Sequence, residues 1–176
     1  MVDITLLTDA RYVNPVNPDW YKQNILDDDK RVRDALEKRG LTVARTNWDN
    51  PAYDWSQTHF AVFRTTWDYF DRFQEFSTWL DRISKQTKLI NPLPLVRWNI
   101  DKHYLHDLEL HGIRIPPTVF IKPRTSKSLT EIVEQTGWTD CILKPAISGA
   151  ARHTYRLNAS TLTDHEMIFR KLITHE

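Results

Sequence analysis

Short apolar runs alternate with amphipathic segments along the first 92 residues. The runs at residues 4–8, 41–46, 59–64 and 88–90 are each short enough for a buried strand. Helical spacing of apolar residues separates the first run from the second and the third from the fourth. Strands that alternate with helices predict an α/β fold with a small, doubly wound parallel sheet.

The two helices of this region carry different signals. The polar segment 11–24, with Pro15 and Pro18, is predicted to be a loop, and the carboxylates at residues 27–29 suit the first turn of a helix that Gly40 ends. In the second helix, large apolar side chains recur every three or four residues between Phe70 and Ile83, which predicts a long stripe facing the core.

Pro92 and Pro94 mark a change of pattern and a predicted domain boundary, giving domains 1–92 and 93–176. Beyond it, the sequence predicts a helix at 100–110, a strand at 118–121, a helix at 129–135, strands at 141–144 and 153–157, and a final helix. Ser128 with Glu131 forms a predicted capping box, and Ser160 is predicted to cap the final helix, whose apolar positions include Met167.

Composition narrows the classes of function. The 176 residues carry 24 basic and 23 acidic side chains, so the chain lacks the basic excess on which nucleic-acid binding depends. We expect no secretory signal and no membrane span, and the single cysteine, Cys141, indicates a reducing, cytoplasmic setting. Only four glycines are present, and neither common glycine-rich phosphate fingerprint occurs.

Residues 141–157 contain the first candidate site. An apolar strand delivers Lys144, and a short loop of small or basic residues follows. That loop consists of Ser148, Gly149, Ala150, Ala151 and Arg152. Backbone N–H groups flanked by small side chains can approach an anion closely, so the loop suits a polyphosphate. The alternative is an ordinary exposed hairpin with a surface lysine; Lys102, taken alone, is also typical of a surface lysine.

The second candidate lies where the third strand ends. Arg64, Thr65, Asp68 and Tyr69 would sit at the carboxyl edge of the sheet, where open α/β folds bind ligands. An arginine there can hold a substrate carboxylate through two parallel hydrogen bonds. In the alternative interpretation, Arg64 and Asp68 pair with each other, while Tyr69 only begins the apolar stripe.

The order and spacing of these segments resemble the ATP-grasp superfamily, in its branch with glutathione synthetase and cycloserine-forming ligases. The resemblance runs through Asn99 and Lys102, which match an N-x-x-K helix, and through Ile142, Leu143, Lys144 and Pro145, which match a strand ending in Lys-Pro. It implies that both lysines contact nucleotide phosphates, that the loop 148–152 covers them, and that Arg64, Thr65, Asp68 and Tyr69 face the substrate. The implied architecture is a pre-ATP-grasp α/β domain followed by the first α+β lobe of the nucleotide-binding domain.

What the resemblance implies for activity is limited to part of a ligase. The complete protein would use ATP with magnesium to join a small carboxylate to an amine through an acyl phosphate. These residues would lack the second lobe with its metal ligands, so we expect no catalytic or metal-binding residue here, weak or no ATP binding, and no turnover alone. The loop departs from the family pattern, since Ala150 and Ala151 stand where glycine is usual.

Two other classes of function stay open. The chain could be a catalytically incomplete binding or assembly module that associates with itself, or an α/β protein that binds no nucleotide. His103, His106 and His111 lie close together in the sequence, but without a clear partner set they favour a solvated helix face over a zinc site.

Overall fold

The computed structural model describes residues 1–175, and the side chains up to residue 174. They form two compact units, the first Met1–Arg97 and the second beginning at Trp98. Glu176, predicted to lie on the final helix, is outside the described residues. Within them, no helix is long and apolar enough to cross a bilayer.

The first unit is built on a four-stranded sheet with the order β2-β1-β3-β4, in which every pair of neighbours is parallel. Its strands are β1 (Val2–Thr8), β2 (Val43–Asn47), β3 (Thr58–Thr65) and β4 (Lys88–Ile90). Its helices are α1 (Trp20–Glu37), α2 (Phe73–Ile83) and α3 (Leu93–Ile100), the last of which continues into the second unit. The predicted doubly wound parallel sheet is confirmed.

Strand β1 lies inside the sheet, and its apolar residues Leu6 and Leu7 are fully buried. Burial on both faces is what a parallel sheet demands of its inner strands. The hydroxyl of Thr5, which is also fully buried, bonds to Tyr53 Oη at 2.6 Å and to Thr58 Oγ1 at 3.0 Å. The apolar run at the start of the chain therefore places the next residues, Thr8 and Asp9, at the carboxyl edge.

Helix α1 begins earlier than predicted. Asp19 caps it by accepting a hydrogen bond from the Lys22 amide at 2.8 Å, so residues 27–29 lie inside the helix and not at its start. The loop prediction for residues 11–24 was wrong from Trp20 onward. Pro18 suggests a loop, but a proline is well tolerated just before a helix and interrupts nothing there.

Helix α2 carries the predicted apolar stripe, which is buried at Phe76, Trp79, Leu80 and Ile83. The ring of Phe76 meets that of Trp48 edge-on, with the ring centroids 5.1 Å apart. Trp79 similarly packs against Trp48 and Trp55. Aromatic side chains thus form much of the core on this side of the sheet.

The second unit begins with a helix that differs from the prediction. Instead of one helix at 100–110, α3 ends at Ile100 and α4 spans Tyr104–Leu110. Asp101 Oδ1 accepts a hydrogen bond from the His103 amide at 3.0 Å, and this local turn breaks the helix. Lys102 lies in the break, and its amide bonds to Ala146 O at 3.0 Å.

The rest of the unit is two helices packed against a strand pair. These elements are α5 (Leu129–Thr136), β5 (Asp140–Leu143), β6 (Tyr155–Asn158) and α6 (Leu162–His175), with β5 and β6 antiparallel. Their buried cluster is Leu129, Val133, Leu157, Leu162 and Phe169. The predicted capping box of Ser128 and Glu131 is confirmed.

Two further local predictions in this unit were wrong. Residues 118–121 are not a strand; the preceding Pro116 and Pro117 offer no N–H for a ladder. Ser160 bonds to Asn158 Oδ1 in a turn, and α6 starts only at Leu162. Met167 lies on α6 as predicted, on the exposed side of the helix, whereas Phe169 is fully buried.

Candidate functional site

The loop between β5 and β6 is closed by its own hydrogen bonds. Lys144 directly follows the last residue of β5. The Arg152 amide donates to Gly149 O at 2.9 Å, and Ser148 Oγ donates to Arg152 O at the same distance. The predicted loop residues therefore form a compact turn, with Lys144 at its base.

Two alanines of this turn have left-handed backbone. Ala150 has φ 49° and Ala151 φ 57°, and His153, further along, has φ 52°. For a residue with a Cβ, that conformation costs roughly 1–2 kcal/mol. The alanines thus adopt the turn that glycine would adopt more easily, at a cost in strain.

Lys102 reaches this loop from the break between α3 and α4. Its Nζ donates to Ser148 O at 2.9 Å and to Ala146 O at 3.1 Å. Burial lowers the pKa of Lys102, and the charge of Lys144 lowers it further. The structure therefore brings together both predicted lysines and the loop, with Lys102 bonded to the backbone of the loop itself.

In the first unit, the carboxyl ends of β1 and β3 are joined. Thr8 Oγ1 and Thr65 Oγ1 lie 2.5 Å apart, and the Asp9 amide donates to Thr65 O at 3.0 Å. β1 runs through α1 to β2 on one side, while β3 lies on its other side, so the winding reverses between β1 and β3. In such sheets this switch point is where ligands bind.

Arg64 is held away from Asp68. Its Nε donates to Asp29 Oδ1 at 2.9 Å, and its Nη2 pairs with Asp28, both on α1. Asp29 is buried and also receives Arg45 Nε at 2.7 Å. The alternative pairing of Arg64 with Asp68 is wrong, and the observed contacts tie α1 to the sheet.

Asp68 is fixed by two donors that the sequence did not suggest. Trp48 Nε1 donates to its Oδ1 at 2.8 Å, and Arg72 Nη1 to its Oδ2 at 3.0 Å. Arg72 also binds Asp49 at 2.7 Å and pairs with Glu75. Its guanidinium lies 4.7 Å from the centre of the Trp48 ring.

Burial alone would raise the pKa of Asp49, but hydrogen bonds from Asn47 and Arg72 lower it below its ordinary value. Trp48 and Asp49 directly follow β2, and Arg72 precedes α2. The rule that ligand sites lie at the carboxyl edge of a parallel sheet would have drawn attention to the first two.

The remaining predicted residues of this edge are largely enclosed. Thr65 is buried, and burial raises the pKa of Tyr69. The Tyr69 ring lies 5.2 Å from Phe70 and 5.6 Å from Phe76, between centroids. Tyr69 therefore packs against the apolar stripe of α2.

His103, one of the three histidines close together in the sequence, has local partners. His103 Nδ1 lies 2.6 Å from Asp101 Oδ1, and its ring stacks on Phe120 with the centroids 4.1 Å apart. Among the described side chains, up to residue 174, no group of three or more His, Cys, Asp or Glu residues is arranged to hold a metal ion. Cys141 is half-buried, and burial, followed by the charge of Asp140, raises its pKa.

Comparison with known proteins identifies the first unit. The family profile of the N-terminal domain of the D-cycloserine synthetase DcsG matches residues 4–91, half of the chain. The chain belongs to this family. A cycloserine biosynthesis protein, DcsG of Streptomyces lavendulae, is 40% identical over 90 residues, which are 51% of this chain and 30% of the relative.

Solved structures extend the likeness beyond the DcsG N-terminal domain. The crystal structure of D-cycloserine synthetase DcsG has a TM-score of 0.81 and 27% identity, over 97% of this chain and 55% of that one. A RimK-domain ATP-grasp protein of Sphaerobacter thermophilus has a TM-score of 0.62 and 14% identity, over 99% of this chain and 61% of that one. The predicted relation to the branch with cycloserine-forming ligases is confirmed, and the ATP-grasp neighbour shares the fold. The matched segment spans 30% of the curated DcsG relative.

Proposed function

We propose that residues 1–176 supply the phosphate-binding lysines and loop, and a substrate-facing sheet edge, of an ATP-dependent carboxylate–amine ligase of ATP-grasp type. The observation that carries the proposal is the convergence of Lys102 and Lys144 on the loop after β5. Membership of the DcsG family supports it, since the solved relative is described as a synthetase.

The residues of the loop fit a polyphosphate better than they fit a metal. Lys102 and Lys144 supply cations, and Gly149 with two alanines leaves the backbone open to close approach. No cluster of metal-ligating side chains occurs where the structure describes side chains, up to residue 174. In the ligase we propose, ATP would bind with its phosphates against the lysines and the loop.

The chemistry we propose for the complete ligase has two steps. A carboxylate oxygen of the substrate attacks the γ-phosphorus of ATP, which forms an acyl phosphate and releases ADP. The amine then attacks the acyl carbon, the amide bond forms, and inorganic phosphate leaves with the electron pair of the broken C–O bond. Residues 1–176 would hold phosphates but would not complete either step alone, because the solved relatives carry a further 45% and 39% of their length that this chain does not match.

The phosphate site can be tested by thermal denaturation of the 176-residue chain with ATP, ADP and inorganic tripolyphosphate. A ligand that binds the folded state raises the unfolding temperature with concentration. We expect a small rise with all three, lost in Lys144→Met and kept in Lys171→Met, which removes the same charge from an exposed position on α6. No rise in the unaltered chain, or an equal rise in both variants, contradicts the phosphate site.

The second part of the proposal has its own assay. We expect no release of phosphate from ATP by the purified chain in the presence of magnesium. Magnesium-dependent turnover that disappears in Lys144→Ala would show that these residues suffice for phosphoryl transfer, and the proposed incompleteness would be wrong.

A further inference from the structure

The four arginines around the sheet of the first unit have very different surroundings. Arg45, Arg64 and Arg72 have side chains 12%, 26% and 34% exposed, whereas that of Arg11 is 56% exposed. The first three each bind carboxylates or carbonyls through both ends of the guanidinium. Exposure therefore separates Arg11 from the arginines that hold the fold together.

Arg11 is nevertheless held in one orientation. Its Nε donates to Asp9 Oδ1 at 3.1 Å and its Nη2 to Asp9 Oδ2 at 2.6 Å, which is a two-point contact. Its amide also donates to Asp9 Oδ1 at 2.9 Å, and its guanidinium lies 5.4 Å from the Tyr12 ring centre. Asp9 is 1% exposed, so the carboxylate that positions Arg11 is fixed by the protein interior.

This contact leaves part of the guanidinium available. A guanidinium carries five N–H donors, and two of them serve Asp9. Among the described side chains, which extend to residue 174, the Arg11 side chain forms hydrogen bonds with Asp9 and with no second acceptor. The remaining three donors include the Nη1 pair, which is enough for a two-point contact with a further carboxylate.

Arg11 presents these unused donors at the edge of the sheet where a ligand is expected. It follows β1 by three residues, at the switch point where Thr8 and Thr65 meet. Asp68 is close enough to influence Arg11 electrostatically, and it accepts a hydrogen bond at 3.0 Å from Arg72, which also pairs with Asp49 and Glu75. A carboxylate that approaches Arg11 therefore meets a cation with preset geometry at the edge where this fold binds ligands.

We propose that Arg11, positioned by the buried Asp9, holds a carboxylate group of the ligand that binds the first unit, in the role that the sequence suggested for Arg64. The proposal rests on the proposed ligase function for the carboxylate chemistry of the ligand. Under this proposal, Arg64 has a structural role as the link between β3 and α1. Substrate recognition at this edge belongs to Arg11, which follows the end of the neighbouring strand β1.

The test is a nuclear magnetic resonance titration of the isotope-labelled 176-residue chain with sodium acetate, at ionic strength held constant with sodium chloride. We expect saturable shifts of the Arg11 Nε–H signal and of the amides of residues 65–68. In Arg11→Gln the dissociation constant should rise at least about tenfold, while Arg39→Gln, which removes an exposed arginine near the end of α1, should change it by less than about twofold.

Two further arms keep the outcome decisive. Arg11→Lys keeps a cation beside Asp9 without the planar fork, so it should bind acetate more weakly than the unaltered chain even if Arg11→Gln does not fold. Methylammonium chloride, whose cation is similar in size to acetate, tests whether the shifts require a negatively charged ligand. The proposal is overturned if acetate gives no saturable shifts, if the shifts survive in both Arg11 variants, or if methylammonium reproduces them. Because the polyphosphate test reads the loop after β5, either proposal can fail without the other.

Discussion

The ammonium of Lys102 lies 2.9 Å from the main-chain oxygen of Ser148. This side chain, predicted to contact nucleotide phosphates, therefore holds the loop that was predicted to cover them. A phosphate that bound Lys102 would have to compete with two backbone carbonyls. Lys102 thus has a measurable role in the loop before any nucleotide is present.

Removing the hydrogen bonds of Lys102 should let the loop after β5 open more readily. In Lys102→Met we expect the amides of Arg152 and Thr154 to exchange with solvent about tenfold faster or more, since hydrogen bonds from charged donors contribute roughly 1.5–3 kcal/mol. Hydrogen exchange read by mass spectrometry or by magnetic resonance measures this. The matched control is Lys127→Met, which removes a hydrogen bond from Lys127 Nζ to Gln135 on α5. Unchanged exchange in Lys102→Met would mean that the loop holds its shape without the lysine.

Glycine should relieve the strain at the left-handed alanines. We expect Ala150→Gly or Ala151→Gly to raise the free energy of unfolding by about 0.5–1 kcal/mol, because the relief of strain exceeds the extra entropy of glycine in the unfolded chain. Ala146→Gly, in the same loop but without positive φ, should lower it instead. Denaturant unfolding provides the comparison, and a loss of stability in all three variants would contradict the strain.

The buried carboxylate of Asp29 should matter far more than its neighbour. Asp29→Asn leaves Arg45 and Arg64 without their shared partner, and breaking such a buried pair costs about 3–5 kcal/mol. Asp28→Asn removes the same charge from a residue that is 61% exposed and should cost less than about 1 kcal/mol. Urea unfolding of both variants tests this; equal losses would show that Asp29 does not anchor α1 to the sheet.

The capping box of α5 predicts an acid-sensitive contribution to stability. Hydrogen bonds from Ser128 lower the pKa of Glu131 below its ordinary value of 4.5. The contribution of the ionised Glu131 is therefore complete above 4.5 and is lost as the pH falls through the lowered pKa of the folded state.

Glu131→Gln should accordingly be less stable than the unaltered chain at neutral pH, and the difference should shrink in acid. Unfolding temperatures measured across the acid range provide the test. Glu134→Gln, on the same helix but outside the capping box, should follow the pH dependence of the unaltered chain. A difference between Glu131→Gln and the unaltered chain that does not change with pH would contradict the linkage.

Features set by neighbours in the sequence were predictable. Three such features are the β5 strand just before Lys144, the capping box at Ser128 and the aromatic stripe of α2, which all follow from contacts within a few residues. The start of α1 is also a local feature, set by Asp19. It was predicted too late because Pro18 suggested a loop and the three later aspartates suggested a helix start.

Features set by distant residues were not predictable. The place of Arg64 at a strand end was correctly inferred, but successive strand side chains point to opposite faces, and only the fold shows that Arg64 meets Asp29, 35 residues away. Arg11 could not be selected from the sequence, because its position at the ligand edge depends on the sheet order, which places the end of β1 beside the end of β3. The contact of Trp48 with Asp68 likewise needs the tertiary structure.

The edge-on packing of Trp48, Trp55 and Trp79 has an optical consequence. Indole rings fixed 5.6 and 5.8 Å apart at steep angles couple their electronic transitions and should give the first unit a strong near-ultraviolet circular dichroism signal. Of the seven tryptophans, only Trp98 and Trp138 belong to the second unit. A dichroism band from the coupled indoles would therefore follow the unfolding of the first unit, while the second could be followed separately through backbone signals or a ligand.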